Sequence, residues 1–150
     1  MRKAFVITSA LLLVAFGLQF VFAAVGGFTR PTGDDSYALH SVNGMAVIPA
    51  LTLLTALCAA LARAPGRLVG LALLPIGLVI VQALLAMLAT ASTDAAGVST
   101  PLGPIIGGLH ALNGIIAVHV VVAVLRGARK LTDPEPADST GDVVRSGEPA

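Results

Sequence analysis

Four apolar stretches, residues 4–25, 39–62, 68–91 and 104–125, govern what this chain can fold into. At about 1.5 Å per residue, each rises to roughly 33–36 Å as a helix, enough to cross the hydrocarbon of a bilayer. Backbone placed in hydrocarbon must satisfy its own hydrogen bonds, so each stretch reads as a membrane-spanning helix. Hydrophobic residues make up 56% of the chain and charged residues 11%, too little charge to cover a soluble domain. The fold class expected is therefore all-α: an integral membrane four-helix bundle occupying residues 1–130, with the lipid bilayer as its first partner.

The connections carry loop punctuation. Gly26 to Ser36 (GGFTRPTGDDS) holds Gly, Pro and Asp, and its Asp34, Asp35 and Ser36 stand where the next helix needs an N-cap and first-turn acids. Arg63 to Arg67 is a short basic turn, and Ser92 to Gly103 is a polar loop with one acid, Asp94. Pro49 and Pro75 fall inside helices two and three, where a membrane helix tolerates Pro and bends at it. Residues 131–150 are rich in Pro, Asp, Glu, Ser and Gly without an apolar period, and are expected to form a disordered tail.

Seven basic residues, Arg2, Lys3, Arg63, Arg67, Arg126, Arg129 and Lys130, fall on one side of a four-span arrangement, and Arg30 alone on the other. By the positive-inside rule both termini and the tail are cytoplasmic. A rival reading takes the first stretch as a secretory signal with Val21-Phe22-Ala23 before the cut; its apolar run is longer than a typical signal core. The bias toward Ala, Gly, Val, Leu and Pro suggests a high-GC bacterium, which places the protein in the bacterial plasma membrane. A net charge of +1 and the lack of basic–aromatic interleaving exclude nucleic acid as a partner. The lone Cys58 rules out a disulfide framework or a Cys-based metal site and is expected to pack.

Within this frame one motif occurs twice. Leu39 to Gly44 reads LHSVNG and Leu109 to Gly114 reads LHALNG, each opening an even-numbered helix and agreeing at four of six positions. His, Asn and Gly at i, i+3 and i+4 share one helix face. The odd-numbered helices echo one another through Gln19 and Gln82, both about 23 Å from the basic flank by helical rise. The implied architecture is two parallel two-helix repeats about an axis along the membrane normal.

Neutral imidazole is a common axial ligand for haem iron, and facing helices of a bundle are where such ligands are built. Helices two and four are diagonal in an up-down bundle, so His40 and His110 are the candidate metal ligands. Asn43 and Asn113 are candidates to orient the imidazoles or bond propionates, and Gly44 and Gly114 to admit a flat macrocycle. Zinc lacks a third or fourth ligand of the usual type. Counting from Arg63 and Arg126, His40 and His110 differ in depth by roughly 10 Å, a mismatch that a bis-His site has to remove. His119, nine residues past His110, faces the opposite side and is expected to bond Thr55 or the third helix.

At these residues the chain resembles an uncharacterised family of small four-span membrane proteins of actinobacterial type, over about Gln19 to Arg129. The resemblance rests on the acidic loop before His40, the H-x-x-x-G of His40 to Gly44, Val81-Gln82, and the LHxxN of Leu109 to Asn113. More distantly the chain is similar to one half of haem A synthase, in which a four-helix bundle carries a histidine on its second and fourth helices. That family has a Glu three residues before the second-helix His and an Arg just after it, where this chain has Tyr37 and Ser41. That departure argues against the synthase's oxygenation chemistry and leaves haem binding open.

The leading expectation is a membrane protein that binds haem b through His40 and His110, for electron transfer or haem handling with a redox partner. Two others compete with it. One is a non-catalytic accessory or packing subunit of a larger membrane complex, since no catalytic acid or nucleophile constellation is evident. The other is a small carrier using Gln19, Gln82 and His119 at the midplane, for which the polar residues are sparse.

Overall fold

The computed structural model describes residues 1–31, 33–94, 96 and 98–132, and the remainder of the expected tail lies outside them. Four helices dominate: α1 (Arg2–Phe28), α2 (Asp35–Leu61), α3 (Gly66–Ala91) and α4 (Leu102–Lys130), each long and apolar enough to cross a membrane. Each helix packs on its sequence neighbours, and α1 also packs on α4, which closes the ring. The diagonals are thus α1 with α3 and α2 with α4.

Packing in this bundle is inverted relative to a water-soluble one. Small and weakly polar residues fill the centre, among them Ser9, Ala15, Thr52, Thr55, Ala59, Ala72 and Ala117. Large apolar side chains such as Leu11, Leu53, Leu84, Ile105 and Ile116 point outward. That distribution suits hydrocarbon as the surrounding solvent, where association relies on close backbone approach rather than on expelling water. The buried hydroxyls return to their own helices, with Thr52 donating to the Ile48 carbonyl at 2.8 Å and Ser9 to the Phe5 carbonyl at 2.7 Å. Every buried side-chain nitrogen and oxygen among the described residues has a partner.

Two apolar clusters make the core. One, at the basic end, joins Phe5, Ala56, Cys58, Ala59, Ala72, Val124 and Ala128; Cys58 is a free thiol packed within it. The second, at mid-height, joins Leu12, Ala15, Phe16, Ile48, Ala117 and Val121. Because α1 supplies Phe5, Leu12, Ala15 and Phe16 to both clusters, it is an integral part of the bundle.

Three local features differ from expectation. α4 continues five residues beyond Leu125 to Lys130, its last turn carrying Arg129 and Lys130, whose charges favour the negative helix end. His110 thus lies 20 residues before the end of α4, and His40 lies 21 before the end of α2 at Leu61, so the depth mismatch disappears. α2 is not uniform: a 3₁₀ turn at Asp34–Tyr37 leads into α-helix, then a π turn at Asn43–Val47, then α-helix again from Ile48. In the π turn the Ile48 N–H reaches back five residues to the Asn43 carbonyl, immediately before Pro49. Pro has no N–H to donate and its ring crowds the carbonyl four residues back, so the widened turn takes up the misfit ahead of it. Pro75, by contrast, sits inside α3 without breaking it.

The turn after α2 closes on Arg63 at φ 56°, a left-handed conformation usual for Gly. Its N–H donates to the Ala60 carbonyl at 2.9 Å and the Ala64 N–H to Ala59 at 3.0 Å, the paired bonds of a Schellman cap. At the opposite end Ser36 accepts the Gly33 N–H at 2.9 Å, and Asp94 accepts the N–H groups of Ala96 and Val98, each at 2.9 Å. These tight loops fix both helix hairpins.

Candidate functional site

Above the mid-height cluster the four helices part around a cavity of about 250 Å³. Phe16, Phe20, Ile48, Leu78 and Ala117 give it an apolar wall, and Gln19, His40, Gln82, His110 and Asn113 give it convergent polar groups. Such a mixture is the usual chemistry of a small-molecule or cofactor site.

The α1–α2 side is built as follows. Gln19 Nε2 donates to the His40 carbonyl at 3.0 Å and also meets His40 Nε2 at 3.2 Å. Its Oε1 accepts from Asn43 Nδ2 at 2.7 Å, and the same Asn43 amide donates to the Ala15 carbonyl at 2.9 Å. His40 Nδ1 donates to the Gln19 carbonyl at 3.1 Å. A carbonyl only accepts, so Nδ1 holds the proton of the neutral ring and Nε2 holds the lone pair. With that tautomer the Gln19 amide donates to His40 Nε2.

The α3–α4 side uses the same residue types in the same roles. Gln82 Nε2 donates to the His110 carbonyl at 2.8 Å, and Asn113 Nδ2 donates to Gln82 Oε1 and, at 2.9 Å, to the Leu78 carbonyl. His110 Nδ1 donates to the Gln82 carbonyl at 3.1 Å. One bond differs: among the described residues His110 Nε2 has no counterpart of the Gln19 contact. Its lone pair is therefore unengaged, whereas that of His40 is occupied.

Both imidazoles come to one level across the α2–α4 diagonal, with ring centroids 6.3 Å apart and planes inclined at 39°. Tyr37 stands edge-on to His40, also at 6.3 Å between centroids. The Tyr37 ring lies over Gly26, where an added Cβ would meet its Cδ1 at 2.5 Å and the Ser36 carbonyl at 2.8 Å. The bare backbone of α1 thereby seats Tyr37 beside the site. Sequence spacing carries no signal for this placement, since Gly26 near the end of α1 and Tyr37 at the start of α2 meet across a loop of no fixed period.

The six candidate residues do gather here, in roles more specific than expected. Asn43 and Asn113 tie α2 to α1 and α4 to α3 by gripping a glutamine and a carbonyl; neither bonds an imidazole. Gly44 makes room for Gln19, whose Nε2 would lie 2.7 Å from a Cβ at that position. Gly114 faces Gln82 Nε2 and Phe20, each at 3.5 Å from such a Cβ. His119 lies elsewhere: it is exposed on the outer face of α4, and its Nδ1 donates to the Ile115 carbonyl at 2.8 Å in its own helix. Thr55 bonds the Leu51 carbonyl instead, so the expected His119 contact is not formed.

Residues 19–91 match a family of unknown function, DUF6220. The match begins on Gln19 and ends with the last residue of α3, so it includes His40, Asn43, Gly44 and Gln82 and stops short of His110. The chain is similar to that family over α2, α3 and the end of α1. No curated protein and no solved structure matches the chain.

Proposed function

We propose that this small membrane protein holds a b-type haem between His40 and His110 and serves electron transfer or haem handling. The observation that carries the reading is the pair of imidazoles facing across the bundle. Two imidazoles that held one metal ion between them, with metal–nitrogen bonds of about 2.0 Å and roughly 1.15 Å from nitrogen to centroid, would stand about 6.3 Å apart. The centroids of His40 and His110 are separated by 6.3 Å. Both Nδ1–H groups are tied to backbone carbonyls, which fixes the tautomer and leaves Nε2 as the nitrogen that could ligate, free of a protein partner in His110 and taken by Gln19 in His40.

Among the described residues no three of His, Cys, Asp and Glu come together. A metal held by His40 and His110 would find no third such ligand among the described residues, and a macrocycle would supply the rest. The apolar wall fits the same group. When bound, haem supplies one-electron chemistry; the chain's own residues would supply ligands, orientation and a dry surround. Gln19 must release His40 Nε2 for that histidine to ligate.

Several finer features accompany this reading. The matching contacts of Gln19, His40 and Asn43 with Gln82, His110 and Asn113 support a chain built from two parallel two-helix repeats. The excess of basic residues at one end supports cytoplasmic termini in a bacterial plasma membrane, and the packing of Phe5, Leu12, Ala15 and Phe16 into the core supports retention of α1 as a span. A second reading, an accessory subunit of a larger complex, is favoured by His119. A polar ring on a lipid-exposed helix face suits burial against a neighbouring membrane helix.

The test is the absorption spectrum of detergent-purified protein produced with ample haem, oxidised and then reduced. A Soret band with sharp reduced α and β bands is expected, lost in His40→Ala or His110→Ala and kept in His119→Ala. A featureless spectrum from folded wild-type protein sinks the haem reading and leaves the accessory one, which a search for co-purifying membrane partners then addresses.

A further inference from the structure

At the basic end, far from the histidines, a second depression of about 710 Å³ runs between α3 and α4. Its wall is aliphatic, with Leu71, Leu74 and Ala123, and its mouth carries Arg67, Arg126 and Lys130. All three cations are exposed, and among the described residues the lining contains no acidic side chain. We infer that this groove binds one anionic phospholipid, its phosphate at the three cations and an acyl chain along the aliphatic wall.

Two further observations point to that ligand. First, the N-terminus of α3 opens at the same mouth: the Pro65 carbonyl takes the N–H groups of Leu68 and Val69, at 2.7 and 3.2 Å, and Pro65 itself offers no donor. The N–H groups of Gly66 and Arg67, in the first turn, have no acceptor within the helix and, with the helix dipole, favour an anion. Second, the trough is open where Gly70 has free space beyond its backbone, while its floor is closed by Leu68 packed on Gly127, where a Cβ would meet the Leu68 Cδ1 at 2.7 Å. The groove is thus apolar along its length and cationic only at its mouth, the pattern of a headgroup site between membrane helices. A soluble anion would use the mouth and leave the aliphatic wall idle.

Native mass spectrometry of the full-length protein, purified in mild detergent and supplied with phosphatidylglycerol or phosphatidylcholine, tests the inference. Phosphatidylglycerol is expected to be retained and phosphatidylcholine lost. The triple variant Arg67→Gln/Arg126→Gln/Lys130→Gln should retain phosphatidylglycerol about a hundredfold more weakly, at roughly 1 kcal/mol per basic residue. A control losing equal charge at the same end, Arg2→Gln/Lys3→Gln/Arg63→Gln, should bind as wild type. All six side chains are exposed, so both variants should elute as folded protein. Equal loss in both variants would overturn the site in favour of a diffuse attraction, and full displacement by millimolar inorganic phosphate would overturn the acyl groove. Tighter retention in Asp133→Asn/Glu135→Gln/Asp138→Asn would show that the acidic tail competes for the groove, and would overturn lipid as its resident occupant.

Discussion

Asn43→Ala tests whether the polar braces hold the hairpins together. Asn43 is 5% exposed and gives two hydrogen bonds from one amide, to the Ala15 carbonyl and to Gln19 Oε1. Interhelical hydrogen bonds in membrane proteins contribute about 0.6 kcal/mol on average, so losing two costs about 1.2 kcal/mol. Gln19 Oε1 then lacks its donor, adding about 1 kcal/mol, while Ala returns about 0.5 kcal/mol of helix propensity. The expected loss is about 1.5–2 kcal/mol, which is roughly a tenfold to thirtyfold change in the unfolding constant. It is read by titrating the micelle-bound protein with SDS and following helix content by circular dichroism. Asn113→Ala, at a less buried position, should cost about 1 kcal/mol, and the double variant should sum the two within about 0.5 kcal/mol. A loss below about 0.5 kcal/mol in Asn43→Ala would refute the brace.

Three other expectations follow from local geometry. Gly114→Ala should be neutral or stabilising in the same titration, because the new methyl meets only ordinary contacts at 3.5 Å and helix propensity improves by up to about 1 kcal/mol. Gly44→Ala should be less stable than that by at least about 1 kcal/mol, since Gln19 Nε2 at 2.7 Å must move; equal effects at the two glycines would contradict the close approach. Arg63→Gly relieves a left-handed residue at φ 56° and should stabilise by about 1 kcal/mol; a destabilised protein would show that the arginine charge outweighs the backbone term. His119→Leu exchanges an exposed polar ring for a lipid-compatible side chain and should raise the unfolding midpoint. A lowered midpoint in purified protein would reveal an inward role for His119.

The span count was legible because lipid removes alternatives: a helix long enough and apolar enough has no other way to satisfy its backbone. The pairing of His40 with His110 was legible as a repeated motif on diagonal helices, yet depth counted from Arg126 separated them. The error came from taking basic residues as helix ends, whereas Arg126 to Lys130 extend α4 and reach outward along it. Gln19 and Gln82 were visible as an echo but their partners were not, since no spacing rule relates a side chain on one helix to a carbonyl on another. His119 misled for a related reason. A 100° step per residue places it opposite His110, and without the neighbouring helices that direction reads as easily toward another core contact as toward lipid.

The π turn of α2 behaves as a phase shift in an otherwise regular helix. It inserts one residue between the segment that bears His40 and the segment that packs on the core from Ile48 onward. One residue corresponds to about 100° of rotation, so the outer and inner parts of α2 present different faces than a continuous α-helix would allow. α4 reaches His110 through unbroken α-helix. The two histidines therefore confront each other only because one strut of the bundle is out of register with itself. Core packing near Ile48 and imidazole direction at His40 are thus offset by a fixed angle, and restoring a regular α-helix by deleting one residue of the turn would swing one of them about 100° off its partner.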